Sequence, residues 1–107
     1  MTENREETKL EIGPGKLRAL VAGCKMYTIR RGHRTFAKNI SVSSGGGAGI
    51  TCIVNSYVHT ILSEVSFDIL ATEGFHNFAE ALQILRVFYP EMAWDSPVTI
   101  VEFRTAL

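Results

Sequence analysis

Apolar positions recur at helical spacing in only one long stretch of this chain. Phe78, Ala81, Leu82, Leu85 and Phe88 form a single stripe, and the spacing predicts a helix from Asn77 to Tyr89. Asn77 with Glu80 three residues on makes a capping-box pattern, and Pro90 ends the segment. Elsewhere the pattern shortens. Leu10-Glu11-Ile12 alternates like a brief strand before Gly13-Pro14-Gly15, and Lys16–Ala22 predicts a short helix with Leu17, Leu20 and Val21 on one face. Gly23 suits the position just past that helix. Cys24–Arg30, Ile40–Val42, Ile50–Ile61 and Val98–Phe103 are rich in strand formers. In the long third of these, Ile50, Cys52 and Val54 are expected on one side and Thr51, Ile53 and Tyr57 on the other. The last is apolar on both faces at its start, which predicts an interior strand. Ser66–Thr72 predicts a helical turn or two stopped by Gly74, and His33–Asn39 reads as turn-like. The order suits an α+β fold, a closed or nearly closed small barrel with flanking helices.

Composition narrows the classes. At 107 residues, 46% hydrophobic and 21% charged, the chain suits one globular domain over residues 8–107, after a disordered polar tail at 1–7. Lys+Arg and Asp+Glu both number 11, so no bulk field draws the protein to polyanions. A basic run, Arg30-Arg31-Gly32-His33-Arg34, is the local exception. Cys24 and Cys52 lack metal-ligand spacing and are expected to be reduced and buried. No apolar run approaches the roughly 18 residues of a membrane span. The expectation is a cytoplasmic monomer without membrane contact.

Candidate chemistry lies in Gly23-Cys-Lys-Met-Tyr-Thr-Ile-Arg30 and Ala71-Thr-Glu-Gly-Phe75. Thr28 and Arg30 share a strand face. Lys25, three residues before Thr28, meets it only if it sits ahead of the strand proper, in the turn after Gly23. Tyr27 and Phe75 are candidate stacking surfaces for a base. His33, His59 and His76 are scattered without ligand spacing, so neither a metal nor a cofactor is expected. Ser43–Gly49 reads as a permissive hairpin loop without the Lys-Ser/Thr ending of a phosphate-binding loop.

Gly23–Arg30 resembles the signature of ASCH domains: glycine, lysine two on, threonine three further, arginine two beyond. The likeness continues through Ala71–Phe75, Phe88-Tyr-Pro90 and Val98–Phe103, covering roughly residues 9–104. The threonine form, with a downstream glutamate, is similar to bacterial N4-acetylcytidine amidohydrolases (YqfB-like). Ala37-Lys38-Asn39 departs from that group, which carries a Gly-Asp pair there. The resemblance implies a PUA-like barrel and a metal-free hydrolase with catalytic Lys25, Thr28 and Glu73; the N–H fork of Arg30 and the rings of Tyr27 and Phe75 are the expected substrate contacts. A non-catalytic RNA-binding module or a ribonuclease is the alternative, with a nucleoside, a modified base or RNA as partner.

Amide hydrolysis by a threonine hydroxyl needs a base and an oxyanion partner. Two assignments stand open. In the first, Lys25 is a desolvated base, brought down to roughly 7–8 by burial, and Glu73 protonates the leaving nitrogen. In the second, Lys25 stays charged at the oxyanion while Glu73 is the base.

Overall fold

A computed structural model describes residues 6–106. It shows a five-stranded mixed sheet, curled into a half-barrel, with three α-helices. The elements are β1 (Glu7–Glu11), α1 (Pro14–Val21), β2 (Met26–Arg31), β3 (Phe36–Ser43), β4 (Ile50–Ile61), a 3₁₀ turn (Leu62–Glu64), α2 (Phe67–Thr72), α3 (Phe78–Phe88) and β5 (Pro97–Thr105). The strand order is β1-β3-β4-β5-β2. Only β1 with β3 is parallel; β3–β4, β4–β5 and β5–β2 are antiparallel. β5 therefore lies inside the sheet, while β1 and β2 are its edges.

Two apolar layers hold this sheet. Leu10, Leu20, Val42, Cys52, Val101 and Phe103 form one on the α1 side. Ile29, Leu70, Phe75, Leu82, Leu85 and Val98 form the other beneath α2 and α3. Burial of such side chains is the main favourable term in folding. Alternation along β2 sends Thr28 to the first layer's side, opposite Val101, and Ile29 to the second, opposite Ile100.

Both short helices end in the same way. At α1, Gly23 takes φ 98°, its N–H bonds Leu20 O at 3.0 Å and Cys24 N–H bonds Ala19 O at 3.1 Å. At α2, Gly74 takes φ 90°, with Gly74 N–H to Ala71 O at 3.0 Å and Phe75 N–H to Leu70 O at 3.2 Å. These are Schellman caps, which need a left-handed residue after the helix. The second is completed by Phe75 packing in the same core layer as Leu70.

Several expectations are corrected. Glu7, assigned to the polar tail, opens β1, its N–H bonded to Thr35 O at 2.8 Å; of the rest of the expected tail, Glu6 is exposed and residues 1–5 lie outside the described residues. Phe36–Asn39 is strand rather than turn, because Phe36 is a buried anchor of the first core layer. Val21 is 62% exposed. Cys24 is exposed and Cys52 buried, both as free thiols. In β4 the alternation breaks. The register with β5 shifts between Val54 and Ser56, and this bulge turns Tyr57 to the side of Cys52. Asn77 caps α3 as expected, accepting from Glu80 N–H at 2.8 Å. The return bond of the capping box goes instead from His76 N–H to Glu80, at 3.2 Å. His33 and His59 are not scattered but stacked, ring centroids 4.7 Å apart.

Candidate functional site

Among the described residues strand β2 has a partner only on its β5 side, which leaves its other edge to line a cavity. One of about 580 Å³ lies there, at the junction of the two core layers. Glu11 and Ile12 come to it from the end of β1, Lys16 from α1, Thr28–Arg30 from β2, and Glu73 and Phe75 from the end of α2. Ile84, Leu85 and Phe88 of α3, with Tyr89 just after it, supply apolar wall, and Gly45 of the β3–β4 loop reaches it too. Its size suits a nucleoside-scale ligand, since small-molecule sites generally run to about 300–1,000 Å³.

The polar groups are connected. Thr28 is 1% exposed, and its Oγ1 accepts from Arg30 Nη1 at 2.7 Å. The same nitrogen donates to Ile29 O at 3.1 Å, while Arg30 Nη2 donates to Glu11 O. The guanidinium thus spans the two sheet edges, β2 to β1. Burial lowers its pKa from the ordinary arginine value, and the Glu73 charge works the other way. Arginine still stays protonated across the working range. Lys16 Nζ lies 2.6 Å from Glu73 Oε1 and donates to Tyr27 O at 3.1 Å, the carbonyl just ahead of Thr28. Lys16, Arg30 and Glu73 thus bring connected charges to this space.

Glu73 owes its position to the α2 cap. It is the last residue before the chain reverses at Gly74, where a helix dipole disfavours negative charge. Lys16 supplies the countercharge.

Of the residues expected to act, Thr28, Arg30, Glu73 and Phe75 meet at this cavity. Lys25 and Tyr27 do not bring their side chains to it. Lys25 does sit ahead of β2, as convergence with Thr28 required, but its Nζ lies 3.5 Å from Glu102 Oε1 and 5.5 Å from the Tyr27 ring centroid. Tyr27 Oη donates to Glu102 Oε1 at 2.8 Å. These three gather on the opposite face of β2 and β5 from Thr28, since Tyr27 pairs with Glu102 there. The Tyr27 hydrogen bond, followed by the Glu102 charge, raises the Lys25 pKa above the ordinary lysine value. A general base needs the reverse. The expectation of a desolvated Lys25 is corrected on both position and sign.

Sequence reasoning passed over Lys16, and also Thr99. Buried Thr99 donates to Gly32 O at 2.7 Å and accepts from Arg34 N–H at 2.8 Å, fixing the β2–β3 turn. The basic run is engaged too: Arg31 pairs with Glu91 at 2.6 Å and Arg34 with Glu7 at 3.2 Å. That leaves little free positive charge for phosphates. Among the described residues no group of three or more His, Cys, Asp and Glu side chains is placed to hold a metal, and no helix is long and apolar enough to cross a membrane.

No protein-family model, curated protein or solved structure matches this chain. The functional reading accordingly rests on the cavity and its side chains.

Proposed function

We propose that this chain is an ASCH-type, PUA-like amidohydrolase that removes the acyl group from N4-acylcytosine nucleosides, N4-acetylcytidine first among them. One observation carries the reading: a buried threonine hydroxyl, a paired carboxylate and a guanidinium share a nucleoside-sized cavity with aromatic walls.

The carboxylate is the base. Thr28 Oγ1 attacks the acyl carbon as its proton passes to Glu73. The C–N4 bond then breaks, Glu73 returns that proton to N4, and cytidine departs from a Thr28 ester. Water gives a proton to Glu73 as its oxygen attacks the ester. Thr28 leaves with that proton, and the carboxylic acid is released. Arg30, donating to Oγ1, stabilises negative charge as it develops on that oxygen. The exocyclic amine is delocalised into the pyrimidine ring and leaves more readily than an alkyl amine. Phe75 and the α3 wall hold the base.

The test is cytidine release from N4-acetylcytidine by the purified chain. Thr28→Ala and Glu73→Gln should each lose at least about a hundredfold in kcat, the scale of general acid–base groups. A fully active Thr28→Ala would replace the threonine ester with direct attack by water. Absence of turnover with RNA retained on a filter would replace the enzyme with a binding module.

A further inference from the structure

We infer that Lys16, from the first helix, is the catalytic amine of this cavity, an ammonium that holds the acyl oxygen as negative charge develops on it. The inference rests on the amidohydrolase reading.

Three observations carry it. Lys16 lines the cavity that Thr28, Arg30 and Glu73 line, whereas Lys25 is engaged on the far face of β2. Its Nζ is fixed at two points, Glu73 Oε1 at 2.6 Å and Tyr27 O at 3.1 Å. An ammonium has three N–H groups, so one is left for a ligand. The Tyr27 carbonyl belongs to the residue before Thr28, so that bond holds the amine beside the nucleophile's backbone. A donor fixed in advance at the site of developing charge is the arrangement that lowers such a barrier.

The sequence offers a physical reason for the choice. Lys16 stands two residues after Pro14, which opens α1, and α1 packs Leu20 into the first core layer. That packing fixes the helix against β5, the strand beside β2. Lys25 sits in the short link between α1 and β2, with its side chain 53% exposed, and has no such frame.

The experiment compares the wild-type chain, Lys16→Met, Lys16→Arg and Lys25→Met on N4-acetylcytidine, with thermal melts alongside. Lys16→Met should lose at least a hundredfold in kcat, with KM changed less than about fivefold and the folded state retained. Lys25→Met should stay within about threefold of wild type. Lys16→Arg should recover part of the rate, because it keeps a positive N–H donor at the same place. An active Lys16→Met, or a Lys25→Met as damaged as Lys16→Met is expected to be, overturns the assignment while the amidohydrolase reading stands. A Lys16→Arg as slow as Lys16→Met also overturns it, leaving Lys16 a merely structural group. An inactive wild type overturns both.

Discussion

Two lysine–glutamate pairs lie beside β2, one at the cavity along its free edge and one away from it, and they differ in nearly everything but residue type. Lys16 and Glu73 lie 2.6 Å apart with side chains 19% and 16% exposed. Lys25 and Glu102 lie 3.5 Å apart at 53% and 22%. The second pair gains little in high dielectric and is screened by salt. The first has given up much of its hydration, which costs more than pairing commonly returns, and its carboxylate stands at a helix C-terminus, against the dipole. Stability alone does not account for such a placement. A cavity that needs fixed charge does.

Removing the two carboxylates in parallel should break this symmetry most visibly. Glu73→Ala leaves the Lys16 ammonium unpaired in a largely desolvated place. It should lose at least about a hundredfold in turnover and about 1–3 kcal/mol of stability, less than a fully buried pair because both side chains keep some solvent contact. Glu102→Ala should leave turnover within about twofold. Steady-state kinetics and urea unfolding read both. Equal damage from the two would mean that the faces of β2 do not divide catalysis from solvent.

Arg30→Met comes next. It removes the donor to Thr28 Oγ1 and the link to Glu11 O, and should cost roughly ten- to a hundredfold in kcat, at or below the lower end of the range for an oxyanion donor. Arg30→Lys should recover only a little of this, since an ammonium lacks the planar fork that reaches both partners. Full recovery by lysine would reduce Arg30 to a charge and remove the bridging role.

Much of this comparison was legible in the chain and part was not. The long strand Ile50–Ile61, the Asn77 cap and both glycine stops follow from local chemistry, which the sequence carries directly. Thr28 and Arg30 share a face because strand alternation is local too. Lys16 was invisible for the opposite reason. Its contacts span 57 residues to Glu73 and 11 to Tyr27, and nothing near position 16 marks a charged partner. The Val54–Ser56 bulge was missed because it arises from pairing with β5. Lys25 misled because its local signals fitted either outcome: it does precede the strand, and only the tertiary position of Glu102 decides which way it turns.

The two helix stops allow a subtler separation. Gly23 and Gly74 both hold left-handed backbone, φ 98° and 90°, and a Cβ at either meets no neighbour. Alanine should therefore cost each site a similar amount, about 1–2 kcal/mol, through backbone conformation alone. Their effects on turnover should differ. Gly74→Ala disturbs the residue after Glu73 and should lower kcat several-fold, whereas Gly23→Ala disturbs the link that carries Lys25 and should leave it near wild type. Equal losses of activity would mean that the α1 cap also sets the site.

The smallest effect belongs to the exposed pair and appears only with pH. The Tyr27 hydrogen bond, together with the Lys25 charge, lowers the Glu102 pKa from 4.5. The unfolded chain then binds the extra proton first as pH falls, so the stability Glu102 contributes is whole above about 4.5 and lost on descending through the folded value. For Lys25 the shift is upward from 10.5, so its contribution is whole below that value and lost as pH rises through the folded one. Between the two lies a plateau. Glu102→Gln should lower the plateau slightly and flatten the acid limb of an unfolding-versus-pH curve, with less change at 1 M salt, where the Debye length is only about 3 Å, than at low salt. Turnover at neutral pH should not move. An acid limb that survives Glu102→Gln intact would assign it to other carboxylates, and the far-face pair would then contribute to neither stability nor chemistry.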